Sequence, residues 1–353
     1  MSLVLMEGFH LYDNVGQMFD GNHGSRWTVQ GAGTANTLEL TGGEEGQPAL
    51  AVTWDGTNGF DYVEMAFPIA NPIIFGGRWL WDSLPSSSME FLLFRDQANN
   101  QCHFQCQSDG RLDLYRSLFN FLADSDPINP IAAGIWQDFE FKMNITDATG
   151  SASVYIDGVQ VMDAGPFDTK FTDMEGASEI RLVTEFSTTG TIRWSDLYVL
   201  QADGTPPNDH LKTTGEPMRV KALRPDADVA VDFAPDSGPN NFGRIDDAAG
   251  HDFDSSFNRS TVIGDRDIFD VPSPTGAAGS VKAVQLSYAA RTDDGGAKTV
   301  KGFQRQGAVQ DDGTSNAIAV SFNVESDVFD ADANGAAWTK ALLSSATFGY
   351  EIV

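Results

Sequence analysis

Residues 134–161 read GIWQDFEFKMNITDATGSASVYIDGVQV, and this stretch decides the fold. From Trp136 to Asn144 the side chains alternate, with Trp136, Asp138, Glu140, Lys142 and Asn144 on one side and Phe139, Phe141 and Met143 on the other. Successive side chains of an extended chain point to opposite faces, so a period of two marks a strand with one face buried. The turn at residues 147–150 leads to Ser153–Ile156, and Asp157-Gly158 then turns the chain into Val159–Val161. Asp-Gly between alternating segments is a strong hairpin signal, because both turn positions need positive φ.

The same grammar extends outward on both sides. Ala49–Trp54, Phe60–Phe67, Arg78–Trp81, Met89–Arg95, His103–Cys106 and Leu112–Tyr115 come before it, with Ser108-Asp109-Gly110 as another hairpin turn. Ile180–Val183 and Ile192–Leu200 come after it. About ten strands with no helical period predict two packed antiparallel sheets. Composition agrees: Asp outnumbers Glu by 37 to 13, and 35 Gly and 15 Pro accompany them. Asp, Gly and Pro favour turns over helix interiors.

With 353 residues, 41% of them apolar, the chain can bury a sizeable core. Its 22 basic and 50 acidic residues give a net charge of −28. Phosphate binding needs clustered Lys and Arg, so nucleic acid is excluded as a direct partner, and an anionic membrane surface with it. Cys102 and Cys106 are the two cysteines, too few for a disulfide framework. Met1–Phe9 has no basic region and no long apolar run. No segment reaches the roughly 18 apolar residues of a membrane span, so neither an export signal nor membrane insertion is expected.

The stretch GIWQDFEFKMNITDATGSASVYIDGVQV, followed by IRWSDLYVL at Ile192–Leu200, resembles the late strands of laminin-G-like domains with the concanavalin A-like jelly roll. The opening LMEGFHLYD, Leu5–Asp13, is similar to the first strand of such domains in tailed-phage structural proteins. The resemblance spans residues 1–202 and implies a jelly-roll sandwich whose last strand returns to pair near the N-terminus. One fold hosts many activities, so it implies little about chemistry.

Residues 203–216 open with the breaker cluster Asp203–Asp209 and are read as a linker. Residues 217–353 are read as a second, smaller β-rich domain that serves assembly and carries long loops. Its expected strands are Met218–Leu223, Val281–Ala289, Lys298–Arg305, Ala317–Val324 and Phe348–Val353. Thr292–Gly296 reads as a hairpin-like turn, Pro235–Asp254 as a long surface loop, and Gly335–Leu343 as a short helix or an irregular connection. Leu197–Leu200, Gly204, Arg219-Val220, Trp338-Thr339 and Phe348-Gly349 resemble the corresponding points of tailed-phage virion proteins in which a lectin-like domain comes first.

No catalytic constellation emerges. Jelly-roll hydrolases place carboxylates at alternate strand positions so that they project into one groove. Here the nearest pair is Asp138 and Glu140, beside Trp136, and a solvated outer face accounts for it. Cys102 and Cys106 share a strand face but lie too far apart for one zinc, so a buried pair of ordinary cysteines is expected. No cofactor is implied, although calcium is a candidate through Asp265, Asp267 and Asp270, against a reading as solvated turns. For sugar recognition, which stacks an aromatic ring on the sugar's apolar face, the candidates are Trp54 with Asp55 and Asn58, and the same-face pair Trp79 and Trp81. Core packing competes for every one of these rings.

The expectation is a non-enzymatic virion structural protein of the tail or adsorption apparatus, assembled in the host cytoplasm. Its partners would be other virion proteins, in a homo-oligomer or multi-copy assembly, and a host-surface glycan held by the lectin-like domain. A capsid decoration or head-fibre protein is the alternative, and a secreted glycan hydrolase the remote one.

Overall fold

The computed structural model describes the chain except residues 1, 11, 13–14, 20–26, 31–36, 44–47, 56–60, 98, 118–119, 126–128, 185–188, 203–210, 212–217, 247–251, 276–279, 294 and 297. The side chains of residues 2, 15–16, 29–30, 37, 54–55, 61, 183–184 and 189 also lie outside the description. The architecture is nearly all β, in antiparallel sheets. Met1–Phe9 and Arg26–Val220 form one compact unit, His10–Ser25 and Lys221–Val353 another. No described helix is long and apolar enough to cross a membrane.

The first unit contains β1 (Ser2–Glu7), β2 (Trp27–Gln30), β3 (Thr37–Gly42), β4 (Pro48–Asp55), β5 (Asp61–Ala70), β6 (Ile73–Trp81), β7 (Met89–Asp96) and β8 (Asn99–Cys106). It continues with β9 (Leu112–Arg116), β10 (Asn120–Asp124), β11 (Trp136–Asn144), β12 (Gly150–Ile156), β13 (Val159–Phe167), β14 (Ala177–Thr184) and β15 (Thr189–Gln201). One sheet runs β13-β12-β11-β6-β15-β4-β3, with β1 also paired to β15. The other runs β10-β9-β8-β7-β14-β5-β2. The expected return of the last strand to the N-terminus is present, from Ser2 opposite Gln201 to Glu7 opposite Leu197. Asp157 and Gly158, at φ 50° and 77°, make the tight β12–β13 turn.

Aromatic side chains from both sheets fill the core. Trp79 of β6 stacks on Phe139 of β11 at 4.6 Å between ring centroids and meets Phe91 of β7 edge-on at 5.6 Å. Phe104 of β8 meets Phe141 of β11 at 4.6 Å. The alternation of β11 explains this placement, since Phe139, Phe141 and Met143 are all fully buried. A register shift between Glu90 and Leu92 adds a residue to β7 and lets Phe91 join the same aromatic cluster.

The second unit contains β16 (Ala227–Val231), β17 (Ala234–Pro235), β18 (Asn258–Arg259), β19 (Arg266–Asp270), β20 (Val284–Ala290), β21 (Lys298–Gln306), β22 (Val309–Asp312), β23 (Asn316–Ile318), β24 (Asn323–Phe329) and β25 (Ala346–Ile352). Its main sheet runs β16-β19-β25-β21-β22, with β23 also on β21. Separate two-stranded sheets pair β17 with β18 and β20 with β24. Its core groups Phe329, Trp338, Leu343, Ala346 and Phe348. The Trp338 indole donates to the Phe329 carbonyl at 2.9 Å, which seats the short helix α1 (Lys340–Leu343) behind it. Thr339 caps that helix by accepting from Leu342 N at 3.1 Å.

Several expectations need correction here. Met218–Leu223 is irregular rather than a strand, because the Val220 N–H donates to the Asp196 carboxylate instead of to a sheet neighbour. The turn at Thr292–Gly296 does not close a hairpin, since β20 pairs with β24 and β21 with β25. Ala317–Val324 is divided between β23 and β24 rather than continuous.

Candidate functional site

The aromatic candidates read from sequence separate at once. Trp79 and Trp81 are fully buried, so neither offers a ring to a sugar; the alternating positions of β6 that bring them together aim both into the core. Trp54 and Asp55 end β4, but their side chains lie outside the description, and Asn58 lies outside the described residues.

The calcium candidates do not converge. Asp267 is buried and serves as a structural acceptor: its Oδ1 receives the N–H groups of Asp232 and Phe233, each at 3.0 Å. Its Oδ2 receives Asn241 Nδ2 at 2.8 Å and the Tyr350 hydroxyl at 3.1 Å. Asp265 accepts from the Ser260 hydroxyl, and Asp270 is exposed. Among the described residues no group of three or more His, Cys, Asp or Glu side chains could hold a metal ion. Cys102 and Cys106 are free, buried thiols; burial pushes both well above the usual thiol range.

Asp138 and Glu140 are not a solvated pair. Both are buried, Glu140 completely. Glu140 accepts from the Tyr198 hydroxyl and from Leu211 N at 3.0 Å. Asp138 accepts from Arg78 Nε at 3.1 Å and lies 3.7 Å from Arg219 Nη1. Together with Asp196, which accepts from Val220 N at 2.8 Å, these carboxylates hold Leu211, Arg219 and Val220 to the outer side of the β11 sheet. Buried carboxylates need such partners.

The other sheet presents a different surface on its outward side. Cys102, Phe104 and Cys106 point inward, so His103 and Gln105 point outward. Directly paired residues on neighbouring strands share a face, and Phe121 of β10, Tyr115 of β9, His103 of β8 and Leu93 of β7 are paired in that order. The first three make a ladder of rings. His103 lies parallel to Tyr115 at 5.1 Å, and Phe121 meets Tyr115 edge-on at 5.6 Å. Burial falls along it, from completely buried His103 to Phe121 at 53% exposed.

Polar groups flank the ladder. His103 Nε2 lies 3.3 Å from Glu90 Oε2 and 3.2 Å from Gln105 Nε2. Burial pulls the imidazole down to about 4, so it is neutral beside the carboxylate at ordinary pH. Asp113 stands opposite Gln105 and accepts from Gln107 Nε2 at 2.6 Å, with Arg111 Nε at 3.2 Å. Burial raises its pKa first, partly countered by Arg111. Burial also raises the Tyr115 phenol, helped by Asp113.

Further along the face, Arg95 pairs with Glu64 and, at 2.7 Å, with Glu179. Arg181 pairs with Glu64 at 2.7 Å and lies over the Tyr62 ring at 3.3 Å. Burial, followed by repulsion from Glu64, raises the pKa of Glu179. Gln101, one alternate position from His103, ties down the loop before β14. Its carbonyl accepts from Phe171 N at 2.7 Å, and its amide donates to the Met174 carbonyl at 3.0 Å. Phe171 is held there at 55% exposed.

The arrangement gives one exposed ring, Phe121, beside the half-buried Tyr115 and Gln105, and an exposed ring beside a fixed amide is a combination that recognises hydroxyl-rich ligands with an apolar side. Phe121, Tyr115 and His103 were not singled out in the sequence. The period-two pattern of His103-Phe104-Gln105 was visible there, but β10 was not, and without it the ladder has no exposed end.

No protein-family model matches the chain, and no curated protein matches it. Solved structures similar to it include a sialidase, at 13% identity and TM-score 0.42, which matches over 57% of this chain. The chain covers 19% of the sialidase's length. An alginate lyase from Chlorella virus is similar at 11% identity and TM-score 0.41, over 56% of this chain and 98% of that one. A carbohydrate esterase from the Shiga toxin-encoding bacteriophage phi24B is similar at 12% identity and TM-score 0.34, over 55% and 98%.

Proposed function

We propose that the first unit is a non-catalytic glycan-binding module and that its binding surface is the outward face of the seven-stranded sheet. The aromatic ladder His103–Tyr115–Phe121 carries this reading, because it ends in an exposed ring and lies between Gln105, Asp113 and the Gln101-anchored loop. A sugar's apolar face stacks on such a ring, while amide and carboxylate groups order its hydroxyls. The carboxylate pair Asp138 and Glu140, which comes nearest to an acid and nucleophile in spacing, is taken up on the other sheet by Arg78, Tyr198 and Leu211 N. Phe121 is exposed, so Phe121→Ala should leave folding intact and weaken glycan binding at least tenfold by calorimetric titration. Unchanged affinity would remove the ladder from the site.

At the scale of the particle we propose a virion structural role on the tail or adsorption side. The support is the resemblance at Leu197–Leu200, Arg219-Val220, Trp338-Thr339 and Phe348-Gly349. Light scattering on the purified chain tests it: a trimer or larger assembly agrees with an adsorption fibre or spike. A clean monomer moves capsid decoration to first place.

A further inference from the structure

Two firmly held turns, one in each unit, present apolar side chains to solvent with charges of opposite sign beside them. In the second unit, Arg259-Ser260-Thr261-Val262-Ile263-Gly264-Asp265-Arg266 leads from β18 into β19. Val262 is 56% exposed and Ile263 73%. The Ser260 hydroxyl donates to Asp265 and accepts from Val262 N at 3.1 Å. Gly264 N donates to the Ile352 carbonyl at 2.9 Å, and Ile352 N to the Asp265 carbonyl at 3.0 Å. The nearby carboxylates have partners: Asp265 has Ser260, Asp232 accepts from Arg266 N at 3.3 Å, and Glu351 and Asp312 share Lys301. Arg259 and Arg266 are exposed, and their guanidinium groups have no partner among the described residues. What meets an incoming surface is an aliphatic tip between two arginines.

In the first unit, residues 171–175 read Phe-Thr-Asp-Met-Glu, and all but Thr172 are exposed. Buried Gln101 donates to the Thr172 hydroxyl at 2.8 Å; that hydroxyl donates to Asp96 and accepts from Met174 N at 3.3 Å. Ile69, also exposed, lies beside the end of this loop, where Ala177 pairs with Ala70. Lys170 is held by Asp147 at 3.0 Å and Arg116 by Asp168. Asp173 and Glu175 act on Lys170 only at a distance and have no hydrogen bond or ion pair among the described residues. Apolar anchors ordered before association save the entropy of ordering them on contact.

Resting on the multi-copy reading above, we infer that the partner of each turn is a second copy of this chain. The arginine-flanked tip at Val262-Ile263 of one copy seats on the acidic loop 171–175 of the next. Tip against tip would oppose arginines and loop against loop carboxylates, so charge selects the unlike pair. The contact is heterologous and, repeated, closes a ring or grows a chain. Loop 171–175 borders the proposed glycan surface, but Phe121 belongs to the glycan site alone.

The test is light scattering over a concentration series on the full chain, Ile263→Asp and Phe171→Ser, with folding checked by circular dichroism. The native chain should assemble, and each variant alone should associate about tenfold more weakly or worse. An equimolar mixture of the two should form dimers and nothing larger, because one intact tip meets one intact loop. Phe121→Ala should assemble as the native chain does. Assembly that survives either substitution, or a mixture without dimers, overturns this contact and leaves the multi-copy reading standing. A native monomer at every concentration overturns both. Arg259→Glu with Arg266→Glu should abolish assembly, and adding Asp173→Lys with Glu175→Lys to the same chain should restore it; folded chains without restoration overturn the charge pairing.

Discussion

Replacing Trp79 by alanine removes a ring packed against Phe91, Phe139, Phe141 and Trp194 at the middle of the sandwich. Large aromatic deletions in cores cost about 3–5 kcal/mol, and Trp79→Ala should lower unfolding stability by that amount in denaturant titration. A change below about 1 kcal/mol would mean that the ring is not core. His103 makes a pH-dependent contribution. Its folded-state pKa of about 4 lies below the ordinary 6.5, so the folded chain binds fewer protons between those values. Its stability contribution is complete above pH 6.5 and is lost as pH falls toward 4. The loss amounts to roughly 3 kcal/mol at most. Unfolding midpoints at pH 7 and 4.5 should show this loss in the native chain and a flatter dependence in His103→Gln. An identical slope in both would place the titration elsewhere. Sequence alternation could show that Trp79 and Trp81 share a face, but not which face is inside. In a strand with buried residues on both sides, such as β6, the pattern carries no sign.

At the scale of elements, β6 and β15 approach so closely that the Tyr198 ring lies where a side chain on Gly76 would begin. Gly76→Ala must move that ring and disturb its bond to Glu140, and should cost about 1–3 kcal/mol. Gly42→Ala on β3 is the control, since no atom of the described residues stands within 4 Å of the added atom, and its effect should stay below about 0.5 kcal/mol. Equal effects in the two variants would contradict the packing described. The elements of the first unit were largely legible because half-buried strands announce themselves, and β11 runs from Trp136 to Asn144 as its alternation implied. The second unit was harder to read. Its strand β16 is an edge with Val229 and Val231 exposed, so its apolar positions obey no burial pattern. Met218–Leu223 alternates like a strand, yet side-chain carboxylates take up its polar groups instead. The ladder escaped detection for a similar reason. Its partners are 12 and 18 residues from His103 in sequence, and only the pairing of β8, β9 and β10 unites them.

The whole molecule divides its acidic surplus between two tasks. Some carboxylates hold the fold internally, as Asp138, Glu140 and Asp196 do at the end of the first unit and Asp267 does in the second. Others balance arginines on the outward sheet face and leave a ring-lined, charge-answered surface. That division is why carboxylate spacing along the sequence misdirects a search for chemistry: the pair at alternate positions of β11, Asp138 and Glu140, is structural, and the proposed binding face is assembled from strands distant in sequence. The account stands or falls on where a glycan sits. Backbone hydrogen exchange of the full chain, with and without an oligosaccharide that binds it, locates that position most directly. The account predicts slowed exchange in Gln101–Arg116, Asn120–Asp124 and the Phe171–Met174 loop. Slowing confined to the opposite sheet or to the second unit would contradict it.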